Sequence, residues 1–127
     1  MAPISVTLAR HEPPAAVVAL VGEHDAYSSQ RLDNELAVLL DGGQRVVVDL
    51  RDATFIDSTT LSVLLAARHR AEDADLGFAL VLSDRDYTQA HQILDLTGLG
   101  GSFAIFAKPE DAVAAVRRGR VTDVRAA

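Results

Sequence analysis

Asp57-Ser58-Thr59-Thr60 is the one place in this chain where a carboxylate is followed directly by three hydroxyls. Asp and Ser start helices, because their side-chain oxygens accept backbone N–H groups that the first turn leaves without partners. Downstream, Leu61, Leu64, Leu65 and Arg68 fall at i, i+3, i+4 and i+7, the spacing of one helix face, and Val63 and Ala66-Ala67 widen it. Upstream, Val46, Val47, Val48 and Leu50 form a short, largely β-branched run suited to a buried strand, and Phe55-Ile56 lead into the tetrad. Ser58 therefore falls where a strand's exit becomes a helix N-terminus. A phosphate ester there sits at the positive end of the helix dipole, so the chemistry on offer is phosphate acceptance. An ordinary helix cap needs the same residue types, so residue type alone leaves both readings open.

Other chemistries find less support. No G-x-S-x-G elbow surrounds Ser58, as a hydrolase nucleophile on a strained turn requires. His11, His24, His69 and His91 show neither short metal-ligand spacing nor an H-E-x-x-H motif. His69 reads as a surface residue of the second helix; His24 beside Asp25 is the one pairing that could serve a catalytic serine. No Walker or dinucleotide glycine motif is present. A phosphoacceptor aspartate is the sharper competitor: Asp49 ends the valine-rich strand, and Lys108-Pro109 follow the last strand much as a two-component receiver's lysine does. Receivers also need an acidic pair after the first strand to hold magnesium, and here that strand ends in Ala9-Arg10-His11. Asp49 then reads as a polar strand end. The expectation is a binding module without enzymatic activity, metal or cofactor.

The elements that position the tetrad follow from patterning. Ile4, Val6 and Leu8 alternate with polar or small residues as a half-buried strand does, His11–Pro14 is a turn, and Val17–Val21 is a second strand, together an antiparallel hairpin. Glu23-His24-Asp25 reads as a polar loop. Ser28 or Ser29 caps a helix over about 30–40 that Asp41-Gly42-Gly43 stops. The Val46–Leu50 strand and a helix over 58–73 follow. Phe78–Leu82 is a central strand; Ser83 or Asp84 caps a helix over about 86–96; Phe103–Phe106 is a short last strand. Pro109 opens a final helix with Glu110 and Asp111 at its positive end and Arg117-Arg118 at its negative end. The order β-β-α-β-α-β-α-β-α implies an α/β fold: a mixed sheet opening with an antiparallel hairpin, then βα alternation, with about four helices on the sheet. Residues 1–118 form a single domain and 119–127 a flexible tail, with no internal repeat.

Composition bounds the partners. The 127 residues are 49% apolar and 24% charged, with a net charge of −6 and no cysteine, which removes disulfides and thiolate zinc sites. An acidic chain without Trp, whose one basic cluster is Arg117-Arg118-Gly119-Arg120, lacks the footprint of a nucleic-acid binder. No apolar run reaches membrane-spanning length, and Met1–Leu8 lack the basic and apolar regions of a signal peptide, so a cytoplasmic location away from membranes is expected.

F-I-D-S-T-T-L-S-V-L-L, at Phe55–Leu65, resembles the signature of the STAS domain, specifically of bacterial anti-sigma factor antagonists. Asp57, Ser58, Thr59 and Leu61 match it, and Thr60 departs from it, since the family usually has glycine there. L-V-G-E-H-D at Leu20–Asp25 resembles a second family pattern, Leu-x-Gly-Glu-x-Asp. The resemblance implies a STAS-like fold in which the unphosphorylated protein docks on an anti-sigma factor, itself a serine kinase, and frees a sigma factor. Phosphorylation of Ser58 switches docking off, and a phosphatase resets it. Asp25, Asp57, Ser58, Thr59, Thr60 and Leu61 form the implied contact surface, and a β-branched Thr60 is expected to obstruct close approach. The alternative is a non-switching STAS scaffold or transport-associated module.

Overall fold

The computed structural model describes residues 3–9 and 14–118; the expected turn through residues 11–13 and the expected tail at 119–127 lie outside the described residues. Strand β1 (Ile4–Ala9) runs antiparallel to β2 (Ala15–Leu20), with Ile4 opposite Leu20 and Ala9 opposite Ala15. Strands β4 (Arg45–Asp49), β6 (Phe78–Val81) and β7 (Ala104–Phe106) continue the sheet in parallel, in the order β1-β2-β4-β6-β7. The hairpin opening and the βα alternation are as expected. So are the four helices, α1 (Ala26–Asp41), α2 (Ser58–Asp73), α3 (Gln89–Thr97) and α4 (Pro109–Arg118).

The parallel strands are continuous apolar runs because both faces of the sheet are covered. Val46, Val48, Phe78 and Leu80 pack with Leu32 and Leu36 of α1, Leu61 and Leu64 of α2 and Leu94 of α3. Val47, Ala79 and Val81 face the other way, onto Ala112, Ala115 and Val116 of α4. The final helix carries Glu110 and Asp111 in its first turn and Arg117 and Arg118 in its last, complementing its dipole.

Three local readings change. Glu23 and His24, read as part of a polar loop with Asp25, belong to strand β3 (Gly22–His24), which pairs in parallel with β5 (Ala53–Ile56) in a separate two-stranded sheet. Helix α1 starts at Ala26 with Asp25 as its cap, so neither Ser28 nor Ser29 caps it. Ser28 is instead buried inside the first turn. Helix α3 starts at Gln89, capped by Thr88, while the Ser83 hydroxyl accepts from the Arg85 and Asp86 N–H groups in a turn that delays the helix. A Ser or Asp beside several free N–H groups can close either a turn or a helix, and tertiary contacts choose between them.

Candidate functional site

The small β3/β5 sheet joins two segments that lie about thirty residues apart in sequence. Because the strands are parallel, the chain leaves both at the same end, where His24 lies opposite Ile56. The next residues, Asp25 and Asp57, are the N-caps of α1 and α2, so the two helix N-termini lie side by side. The His24 carbonyl fastens the junction, accepting from the Asp57 N–H at 3.1 Å and from the Thr60 hydroxyl at 3.2 Å. Gly22 makes the entry possible: its φ of 82° lies in the left-handed region, which glycine adopts without a Cβ clash.

Within the tetrad the three hydroxyls have different fates. Oδ1 of Asp57 accepts from the Thr60 N–H at 2.9 Å and from the Thr59 hydroxyl at 2.6 Å, so Thr59 is turned onto the cap. Thr60 is fully buried, at 0% exposure, and its hydroxyl donates inward. Ser58 is exposed at the first position of α2, and its side chain enters no hydrogen bond among the described residues; only its carbonyl is engaged, by the Ser62 hydroxyl. Burial pushes the Asp57 carboxyl up. Against that, the Thr59 hydroxyl, the Thr60 N–H and hydroxyl and the Ala26 N–H favour the anion, and the outcome is a value below the usual carboxylate range. The cap stays charged beside Ser58 at neutral pH.

Two members of the expected contact surface are corrected by this geometry. Thr60 and Leu61, 0% and 2% exposed, point into the protein and offer nothing for a partner to touch. Leu61 follows the buried face of α2, and Thr60 is drawn in by the His24 carbonyl. The β-branched side chain at position 60 therefore does not stand in the way of an approach to Ser58. Asp57, Ser58, Thr59 and Asp25 stay at the surface, Asp57 partly covered, and Asp25 accepts from the Tyr27 N–H at 2.9 Å.

Further residues in and beside the motifs complete the surroundings. A cleft of about 460 Å³ opens beside the α1 N-terminus, lined by Pro3, Val21, Gly22, Glu23, Asp25, Tyr27 and Ser28. Its charged groups are both acidic, and Tyr27 is 80% exposed. Phe55 projects from β5 two residues before Asp57 and is also exposed. Sequence reading passed over Tyr27 and Phe55, two exposed aromatics each two residues from a cap aspartate, and aromatic residues are enriched at protein–protein interfaces. Beneath them His24 is buried, its Nε2 3.1 Å from the Val21 carbonyl and its Nδ1 3.3 Å from the Ser28 hydroxyl. Burial lowers its pKa, and the Val21 hydrogen bond and the Asp25 charge only partly oppose this.

The receiver-like alternative meets an occupied acceptor. Asp49 is buried, and both its oxygens are held by the Arg51 guanidinium at 2.8–3.2 Å, with the Arg51 N–H adding a further bond. No group of three or more His, Cys, Asp or Glu that could hold a metal ion occurs among the described residues. Among those residues no helix is long and apolar enough to cross a membrane.

Comparison with solved structures agrees with the fold. An anti-sigma factor antagonist from Mycobacterium paratuberculosis is 27% identical, with a TM-score of 0.71 over 91% of this chain and 95% of that one. The anti-sigma factor antagonist SpoIIAA in its unphosphorylated form is 18% identical, with a TM-score of 0.72 over 90% and 97%. The Bacillus cell fate determinant SpoIIAA in its phosphorylated form is 18% identical, with a TM-score of 0.65 over 89% and 100%. No curated protein sequence matches the chain. The STAS domain family matches residues 7–112, which takes in every strand and three of the four helices from β2 onward together with the start of the fourth. By that match, and by the two motifs that the β3/β5 sheet brings together, the chain belongs to the STAS domain family.

Proposed function

We propose that this protein is an anti-sigma factor antagonist whose docking is switched off by phosphorylation of Ser58. The carrying observation is the sorting of the tetrad: Ser58 alone presents an exposed, unengaged hydroxyl, at the positive end of α2 and beside a charged Asp57. In this reading the unphosphorylated face formed by Ser58, Thr59, Asp57, Asp25, Tyr27 and Phe55 binds an anti-sigma factor with serine kinase activity. A sigma factor is thereby released, and a phosphatase restores the face after modification. The protein works in the cytoplasm through protein contacts, without catalysis of its own and without touching DNA.

Charge makes the switch effective. A phosphate brings about −1.5 to −2 charges. At roughly 6 Å from the Asp57 carboxylate, each unit of charge costs about 0.7–3 kcal/mol between bulk-water and protein-surface screening. The helix dipole returns about 0.3–1 kcal/mol of this in the free protein. A partner covering the site must also strip water from the phosphate. The repulsion from Asp57 is already present in the free protein, so docking is weakened by the extra cost of covering the phosphate beside that charge, and each 1.4 kcal/mol or so of that extra cost is tenfold in affinity.

The test uses ATP, magnesium and the GHKL-type ATPase encoded nearest the gene, with phosphate mapped by mass spectrometry and binding measured by titration calorimetry. Phosphate on Ser58, with Ser58→Ala binding tightly and Ser58→Asp weakly, is the expected result. Modification solely outside residues 57–60 would overturn the reading. Equal binding by the two variants would point to the non-switching module instead.

A further inference from the structure

Among the described residues strand β5 pairs with one strand, β3, and at Ile56 its second edge is met by a side chain. Oε1 of Gln89 accepts from the Ile56 N–H at 2.8 Å, and Nε2 of Gln89 donates to the Ile56 carbonyl at 2.8 Å. A carboxamide offers the same donor and acceptor pair as a peptide unit. Gln89 thus stands where a third strand would, one residue long. It is the first residue of α3, and Ile56 directly precedes the Asp57 cap. On the opposite side the His24 carbonyl accepts from Asp57 and Thr60. The turn that carries Ser58 is therefore clamped between β3 and α3; Ala90 and Leu94 of α3 share the apolar core with Ile56, and the hydrogen-bonding part of the α3 half is one side chain. Nothing in the two sequence motifs includes it.

We propose that Gln89 is a positioning residue for the Ser58 turn, through which the placement of α3 sets the order of Ile56, Asp57 and the first turn of α2. Its relevance to phosphorylation rests on the function proposed above; its effect on the turn does not, and the two are separable by experiment. A turn held from both sides presents Ser58 to a kinase in one conformation. A turn released from α3 presents an ensemble, of which only a fraction is competent.

Amide hydrogen exchange by NMR reads this directly, since local opening appears residue by residue. Gln89→Met keeps the length of the side chain and removes both polar atoms. The Ile56 amide is expected to exchange about tenfold faster, the scale of one hydrogen bond's net contribution. The deciding amides are Asp57 and Thr60, bonded to the His24 carbonyl and the Asp57 carboxylate and not to Gln89. They are expected to exchange roughly three- to tenfold faster as well, while Val48 in the sheet keeps its protection.

Gln89→Glu supplies a reversible version. Its carboxylate accepts from the Ile56 N–H but cannot donate to the Ile56 carbonyl; once protonated, it can do both. Protection of Asp57 and Thr60 in this variant, relative to wild type at the same pH, is therefore low at pH 7 and recovers toward pH 4.5. His24, whose carbonyl holds the turn, Asp57 on the turn itself and His91 on the first turn of α3 are the titratable groups around Gln89; all three are present in both proteins and cancel in the comparison. Wild-type protection of Asp57 and Thr60 in both variants at pH 7 would overturn the proposal. So would an Ile56 amide that does not respond. If Ser58 of the wild type accepts no phosphate, the switch falls while these amides still decide the role of Gln89. If it does, kcat/KM for its modification is expected to fall about three- to tenfold in Gln89→Met.

Discussion

Replacing Asp57 separates two contributions that its carboxylate makes at once. The two hydrogen bonds onto it from the first turn of α2 end on the same oxygen, Oδ1, from the Thr60 N–H at 2.9 Å and the Thr59 hydroxyl at 2.6 Å. Asp57→Asn can place an amide oxygen there and keep both bonds, losing only the charge at the positive end of α2. That charge is worth about 0.3–1 kcal/mol at a partly exposed helix start. Asp57→Ala loses the cap as well, typically a further 1 kcal/mol or so. For a domain of this size about 1 kcal/mol corresponds to roughly 4 °C, so Tm should fall about 2–3 °C for the asparagine variant and about 6 °C for the alanine variant at pH 7. The pH dependence adds a check on sign. The folded pKa of Asp57 is held below its ordinary 3.8, so its contribution is complete above that value and is lost as pH falls through the depressed one. Thermal melts followed by circular dichroism at pH 7 and near pH 3 should therefore show the wild type converging on Asp57→Asn in acid, with Asp57→Ala still lower. Equal losses for the two variants at pH 7 would refute the division, because they would mean that the oxygen at Oδ1 holds nothing.

Two further outcomes follow from the junction beneath the site. The His24 pKa is lowered from 6.5 by burial, so the unfolded chain binds more protons just below that value; stability is complete above pH 6.5 and is lost as pH falls through the lowered one, a slope that urea titrations between pH 7 and 5 should find in the wild type and find reduced in His24→Gln. Gly22→Ala places a Cβ at a φ of 82°, a conformation costing about 1–2 kcal/mol, and should lower the urea midpoint accordingly; an unchanged midpoint would mean that β3 enters by another backbone path.

The difference between what could be read and what could not is one of range. The four main-sheet strands after β1 and all four helices are written in local patterns: Val46–Val48 and Phe78–Val81 are apolar on both faces, α2 carries its Asp57 cap, and α4 carries charges that complement its dipole. Ser58 at a helix start is local too, because a cap acts within one turn. Strands β3 and β5 are not local. Three and four residues long, they become strands only by finding each other across the chain, and neither holds a pattern that marks it alone. That pairing stops at His24 and so makes Asp25 the cap of α1, where Ser28 and Ser29 had equal chemical claims. It also turns the Thr60 hydroxyl inward and leaves Ser58 outside, a choice among three adjacent hydroxyls that composition could not make. The side chain of Gln89 lies 33 positions from the backbone it completes. The order of residues was enough to mark the helices and the main-sheet strands and to put Ser58 at a helix start. The packed fold decided which atoms face water, because burial and hydrogen-bond partnership depend on segments that meet only once the chain has folded.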